Sequence, residues 1–277
     1  MSQPATGAER VWVPWTRLLG PLLSWRLPVR VLERNVLAYR RSWLIFVAGF
    51  LEPLLFLLAI GIGVGELAGD VTGPSGQPIS YRLFVAPGLL AISAMNGVVF
   101  DATFNFFFKF KYAHTYDAML ATPVGVRDVT RGELSWTLVR SGIYATGLLV
   151  TMLALGLVES WWAVLAVPAA LLIGFGFAGV GFAATTFMRS FVDFDFINVA
   201  ILPLFLFSGT FFPLSQYPGV LEAIVRITPL YQGVAIERAL VLGDLDWTLL
   251  LHAAYLAAMG VIGMRVATRR MSRLLQP

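Results

Sequence analysis

Apolar residues occur along this chain in long blocks. The first runs from Trp43 to Gly65, the second from about Leu83 to Phe108 and the third from Leu134 to Val158. A fourth runs from Trp161 to Met188, a fifth from Phe196 to about Pro213 and a sixth from Trp247 to about Ala267. A helix needs about 20 apolar residues to cross a hydrocarbon layer of roughly 30 Å, so the pattern predicts six transmembrane helices. Segment 215–242 is apolar but carries Glu222, Arg226, Glu237 and Arg238 and is broken by Pro218 and Pro229. It reads as short helices that dip into the outer interface without crossing it.

Upstream of Trp43 the pattern changes. Over residues 18–41, Leu19, Leu22, Leu23, Leu27, Val31 and Leu32 intersperse with Arg26, Arg30, Arg34 and Arg40. That is an amphipathic helix lying in the membrane interface, with Trp15 and Trp25 suited to the headgroup level. Pro28 is expected to start or kink the helix rather than sit inside a regular one. The segment either anchors and orients the chain or also touches a partner. The fold class is therefore all-α integral membrane: residues 1–42 as an N-terminal segment and residues 43–277 as one six-span domain.

Composition excludes the alternatives. Of 277 residues, 58% are hydrophobic and only 13% charged, and the mean hydropathy is +0.77. Soluble domains carry about 25% charged residues, and disorder needs low hydrophobicity, so neither class fits. There is no cysteine, hence no disulfide, thiolate-bound zinc or thiol nucleophile. The N-terminus carries Glu9 and lacks an early apolar core, so it is not read as a cleavable signal peptide.

The distribution of charge orients the spans. Seven arginines precede Trp43; Lys109, Lys111, Arg127 and Arg131 follow span two, Arg189 follows span four, and Arg265, Arg269, Arg270 and Arg273 end the chain. These segments hold 16 of the 20 Lys and Arg, and all fall on one side. The opposite loops hold Glu66, Asp70 and Glu159. Both termini are therefore expected in the cytoplasm, in a multi-pass protein of the cell membrane.

Polar residues inside spans are expensive, so they are the candidates for function. Span two carries Ser93, Asn96, Gly97, Asp101, Asn105 and Lys109. Positions 93, 97, 101, 105 and 109 form a slowly winding row that should avoid lipid. Span one carries Glu52, and span three carries Arg140. Arg140 is expected to pair with Glu52 or Asp101, because an unmatched charge there costs several kcal/mol. Such a pair either registers helices or braces a polar path. Small residues along Gly174–Ala183 allow close helix packing. Ser208, Gly209 and Thr210 interrupt span five, as where a helix lines a cavity or turns back.

Catalytic constellations are scarce. There is no phosphate-binding G-x-x-x-x-G-K-[ST], and the two lysines are Lys109 and Lys111, so this chain is not itself a P-loop ATPase. His114 and His252 fall on opposite sides of the predicted membrane. Asp193-Phe194-Asp195 has the D-x-D spacing that can hold a metal–nucleotide, but an acidic turn entering span five explains it better.

Several stretches resemble one family: FVAPGL at 84–89, MNG at 95–97, residues 101–105, TYDAMLATPV at 115–124, FSGTFFP at 207–213 and PLY at 229–231. On these the chain resembles the permease subunit of type-2 ABC exporters, the NodJ-like family that exports lipo-oligosaccharides, polysaccharides or drugs. The resemblance spans residues 40 to 270. It implies two permease copies, identical or related, with two copies of a separate cytoplasmic ATPase that binds ATP and magnesium. No cofactor is expected in this chain, and its other partners are membrane lipids rather than nucleic acid.

The resemblance also places roles. The loop at about 112–126 would dock on the ATPase through Tyr112, Thr115, Tyr116, Asp117, Leu120, Thr122 and Pro123. Arg189, Asp193 and Asp195 would make a second contact. Ser208, Gly209, Pro213, Pro229 and Tyr231 would belong to re-entrant extracellular helices. The chain would export an amphipathic substrate without catalysis of its own. Two rival classes are a membrane glycosyl or lipid transferase using Asp193 and Asp195, and an ion-coupled carrier using Glu52 and Asp101.

Overall fold

The computed structural model describes residues 20–39, 43–65, 69–73 and 76–275. Arg10, Trp15, Arg17, Leu19, Arg40, Arg41 and Glu66 lie outside them, as does the boundary at residue 42. The chain is a helical bundle. Helix α1 is Gly20–Tyr39, and α2 is Trp43–Leu58, continued by a π-helical stretch to Val64. Helix α3 starts at Tyr81 and runs unbroken to Tyr112, with π-turns at Asp101–Asn105 and Phe108–Tyr112. A short α4, Thr115–Leu120, precedes the long α5, Val126–Ala154. Helix α6 is Ala166–Thr185, entered through a 3-10 turn from Trp161. Then come α7, Phe194–Leu206; α8, Gly219–Ile227; α9, Pro229–Leu242; and α10, Thr248–Leu275.

Among the described residues, four helices are long and apolar enough to cross a membrane: Tyr81–Tyr112, Val126–Ala154, Trp161–Thr185 and Thr248–Leu275. The fifth predicted span differs from its expectation. It is helical for only 13 residues, about 20 Å at ~1.5 Å per residue. Pro203 lies inside α7 and Gly209 takes φ +71°, so the chain turns at Ser208-Gly209-Thr210 instead of running to Pro213.

Three further expectations are corrected. Pro28 sits inside α1, and the helix continues through it because Pro28, Val31 and Asn35 are buried on the face that packs against α5. Helix α3 extends past Phe108 because Lys109 and Phe110 are held against the bundle rather than released to water. A small two-stranded ribbon also interrupts the all-helical plan. Its strands β1, Asp70–Thr72, and β2, Pro78–Ser80, pair antiparallel with Val71 opposite Ile79.

Helix α3 is the most buried of the four crossing helices and packs against α5, α6 and α9. Helices α6 and α10 share the most extensive pairing among the described residues, and glycines make it possible. A Cβ on Gly263 would lie 2.3 Å from the backbone carbon of Gly179, and one on Gly179 would lie 2.5 Å from the Gly260 carbonyl oxygen. Helix–helix association in lipid depends on this close approach, because tails and side chains are equally apolar. Gly263→Ala is therefore expected to lower the thermal unfolding midpoint of the detergent-solubilised protein, at about 1–3 kcal/mol of overpacking. Gly219→Ala, where a Cβ meets nothing within 4 Å, should leave it unchanged.

Candidate functional site

The polar row on α3 faces inward. Ser93 and Asp101 are buried, and Gly97, Asn105 and Lys109 are partly so. Widened π-turns at Asp101 and Phe108 keep the row on one side of the helix, and such turns concentrate at functional sites. Of the two candidate partners for Arg140, the structure selects Asp101: Arg140 Nη1 lies 2.7 Å from Asp101 Oδ1, with both side chains almost fully buried. Asp101 also accepts hydrogen bonds from Asn105 Nδ2 and, at 3.2 Å, from Thr137 Oγ1. Arg140 Nη2 donates to Tyr144 Oη at 3.1 Å. Its guanidinium lies 5.7 Å from the centre of the Tyr39 ring of α1.

A second ion pair lies about two turns closer to the loop. Lys109 Nζ sits 2.8 Å from Glu133 Oε2 and 3.4 Å from Asn35 Oδ1. Glu133 was not among the sequence candidates. The available signal was Lys109 itself, since a lysine on a buried row requires an anion. Together the two pairs fasten α1, α3 and α5 into one block. Tyr39 stacking on Trp136 at 5.1 Å adds a third tie.

Above this block a cleft of about 660 Å³ opens between α2, α3, α5 and α7. Its polar lining comes from Glu52, Ser93, Asn96, Thr103, Arg140, Tyr144 and Asn198, and the remainder is aliphatic and aromatic. Glu52 is exposed on this wall and makes no hydrogen bond or ion pair among the described residues.

Below the block lies the loop around α4. His114, at φ +46°, turns the chain into the helix, and its Nδ1 lies 2.8 Å from Asp117 Oδ2. Asp117, Thr122 and Pro123 are exposed, while Thr115 and Leu120 are half-buried. Tyr116 corrects its expected role. It is fully buried, its ring 5.2 Å from that of Phe106, so it roots α4 in the bundle and presents no surface to a partner. Tyr112 ends α3 and stacks on Phe191 at 4.8 Å. Phe107 also meets Phe191 and Phe194, at 5.5 and 5.2 Å. The two expected contact regions are thus one aromatic assembly.

Asp193 does structural work in that assembly. Its Oδ2 accepts the backbone N–H groups of Arg189 at 2.6 Å and Ser190 at 3.1 Å. Those bonds hold its carboxyl below the usual carboxylate range. Asp195 is exposed beside it, and no group of three or more metal-ligating side chains occurs among the described residues. His114 and His252 lie on separate elements, and His252 Nδ1 is hydrogen-bonded to Gln232.

At the opposite end, Glu237 and Arg238 are buried. Arg238 Nη2 donates to the carbonyls of Phe84 at 3.2 Å and Gly209 at 2.8 Å, and the guanidinium stacks 4.0 Å from the Phe84 ring. It ties the turn after α7 to α3, while the end of α7 itself is capped by Phe207 N–H on the Pro203 carbonyl and Ser208 Oγ on that of Phe205. Ser208 and Thr210 hydrogen-bond to each other there at 2.8 Å. Pro213 precedes a 3-10 turn, Pro229 starts α9, and Tyr231 N–H is capped by Thr228.

A charged block beneath an amphipathic cleft, in a bundle of apolar helices, is the architecture of a membrane permease, and comparison with known proteins agrees. The ABC-2 type transporter family matches residues 29–242. Nodulation protein J of Rhizobium meliloti (strain 1021) is 31% identical over 252 residues, 90% of this chain and 94% of that protein. Its counterpart in Rhizobium leguminosarum bv. trifolii is 32% identical over 231 residues, 82% of this chain and 85% of that protein. The inner membrane transport permease YadH of Escherichia coli (strain K12) is 24% identical over 214 residues, 75% and 80% of the two chains. The chain belongs to the ABC-2 type transporter family. It is a multi-pass membrane permease subunit of an ABC exporter, working with an ATP-binding partner subunit.

Breaking one side of a buried pair leaves a charge with no counter-ion, at about 3–5 kcal/mol. Asp101→Asn should therefore sharply reduce the yield of folded protein in detergent. The double variant Asp101→Asn/Arg140→Gln should recover much of that loss, and size-exclusion profiles of the three proteins check it.

Proposed function

We propose that two copies of this permease, identical or related, stand side by side in the cell membrane with both termini in the cytoplasm. Each is driven by its own copy of a cytoplasmic ATPase. ATP and magnesium belong to that partner, and this chain contributes no catalysis. The exposed face of α4, with Asp117, Thr122 and Pro123, grips the ATPase, and the turn at Arg189–Asp195 adds a second contact. The re-entrant pair α8–α9 closes the outer end of the path.

The observation that carries this reading is continuity. Tyr116 and the rings of Tyr112 and Phe191 seat the loop against the bundle, and Lys109–Glu133 and Asp101–Arg140 fasten the same helices that line the cleft. A push on α4 is then delivered to the cleft by near-rigid tilting, as packed elements shift between discrete arrangements. ATP drives export by binding one arrangement more tightly than the other. The cargo is amphipathic, matching a cleft with apolar walls and a few amides.

The test separates gripping from rooting. With the permease and its ATPase co-expressed in membranes, Asp117→Arg should weaken their co-purification by about tenfold. The variant should still reach the membrane at wild-type level. Tyr116→Ala should instead lower the amount of folded permease. Wild-type coupling of ATP hydrolysis to transport in Asp117→Arg, together with doubled variants at Thr122 and Pro123, would remove α4 from the interface. Transport by this chain alone would remove the whole reading.

A further inference from the structure

The charge balance of the cleft distinguishes among amphipathic cargoes. Two charged side chains line it, Glu52 and Arg140. Arg140 is matched by Asp101 at 2.7 Å and directed onto Tyr144, so it offers no net positive charge to an occupant. Glu52 is different. It stands on α2 beside Leu51 and Leu55, exposed to the cleft, with no hydrogen bond or ion pair among the described residues. An ionised carboxylate facing an apolar space without a partner is unfavourable, so a cation delivered there gains more than it would in water.

The walls around Glu52 suit a particular kind of cation. Phe56 and Phe205 meet edge to face at 5.8 Å, and Phe104 and Phe194 lie 5.5 Å apart, all lining the same space. Ring faces attract organic cations, most strongly where water is excluded. Asn96 and Asn198 add neutral hydrogen-bonding groups beside them. An anionic headgroup would meet the Glu52 carboxylate with the nearby guanidinium already engaged, and like charges at that range repel.

We propose that the cleft selects amphiphiles bearing a cationic headgroup, an amine or a delocalised onium centre, with Glu52 as the residue that reads the charge. This rests on the assignment of the cleft as the transport path. It narrows the cargo from amphiphiles in general to cationic ones. Glu52 is a specificity-determining contact and takes no part in coupling to the ATPase.

Two probes of nearly equal shape and opposite charge test this: tetraphenylphosphonium and tetraphenylborate. Binding of each is measured by calorimetry on the permease–ATPase complex in nanodiscs of neutral lipid. Tetraphenylphosphonium is expected to bind at least about tenfold more tightly than tetraphenylborate. Glu52→Gln should abolish that preference while retaining co-purification with the ATPase, and Glu52→Asp should keep it. Equal binding of the two probes by wild type, or an unchanged preference in Glu52→Gln, would overturn the proposal. A Glu52→Gln variant whose permease copies dissociate while the preference persists would overturn it too, showing that the carboxylate serves assembly. None of these results touches the transport assignment. That assignment falls if the complex neither forms nor moves any cargo under ATP, or if this chain transports alone.

Discussion

An ionised group between helices in lipid must be matched on the spot, because neither water nor mobile salt is there to do it. Among the described residues, α3 and α5 place four such groups on their facing sides, Asp101, Lys109, Glu133 and Arg140, and match them as two pairs at 2.7 and 2.8 Å. Each pair joins α3 to α5, and both draw in residues of α1, namely Asn35 and Tyr39. Desolvation offsets much of the Coulomb attraction, so the pairs add little net stability. Their effect is geometric. Sliding one helix past another would strand a charge, and that penalty confines the three helices to one register.

That constraint gives the other features their meaning. The loop around α4 is short, yet it is rooted by the fully buried Tyr116 and by the stack of Tyr112 on Phe191. On the proposed reading, displacement at this end passes through these packed rings to the paired charges and the cleft above them. The far end is secured differently. There Arg238 bonds backbone carbonyls of α3 and of the turn after α7 and so ties that turn to α3, while the helix that stops at Leu206 has its Pro203 and Phe205 carbonyls satisfied by Phe207 N–H and Ser208 Oγ. The seam of Gly179, Gly260 and Gly263 clamps α10 onto α6 without any polar group.

Much of this was legible from residue order. Long apolar blocks and basic flanks specify a multi-pass helical protein, because bilayer thickness and charge asymmetry act on local sequence. The row at positions 93 to 109 was legible because helical periodicity brings it to one face. The partner of Arg140 was not, since Glu52 and Asp101 are both within a span and only packing decides which one faces α5. Segment 215–242 was legible as short helices at the outer interface, but the burial of Arg238 was not, because it depends on carbonyls more than 25 residues away in the chain. Tyr116 could not be oriented, because a six-residue helix carries too little periodicity to define an inner face. The π-turns of α3 and the ribbon at residues 70–80 leave no distinct pattern in composition at all.

The central claim is that α4, α3 and α5 move as one body when the ATP-binding partner engages. The chain contains no cysteine, so spin labels can be introduced together at Ala118 on α4 and Leu153 near the far end of α5 for the distance within a copy, and at Ala118 alone for the distance between copies. Pulsed electron–electron distances, measured in the assembled complex with and without ATP and magnesium, report both kinds of motion. Dilution with unlabelled permease isolates the distance within one copy. The account predicts that this intra-copy distance stays constant while the Ala118–Ala118 distance between copies changes. An intra-copy distance that shifts with ATP while the distance between copies holds still would contradict it.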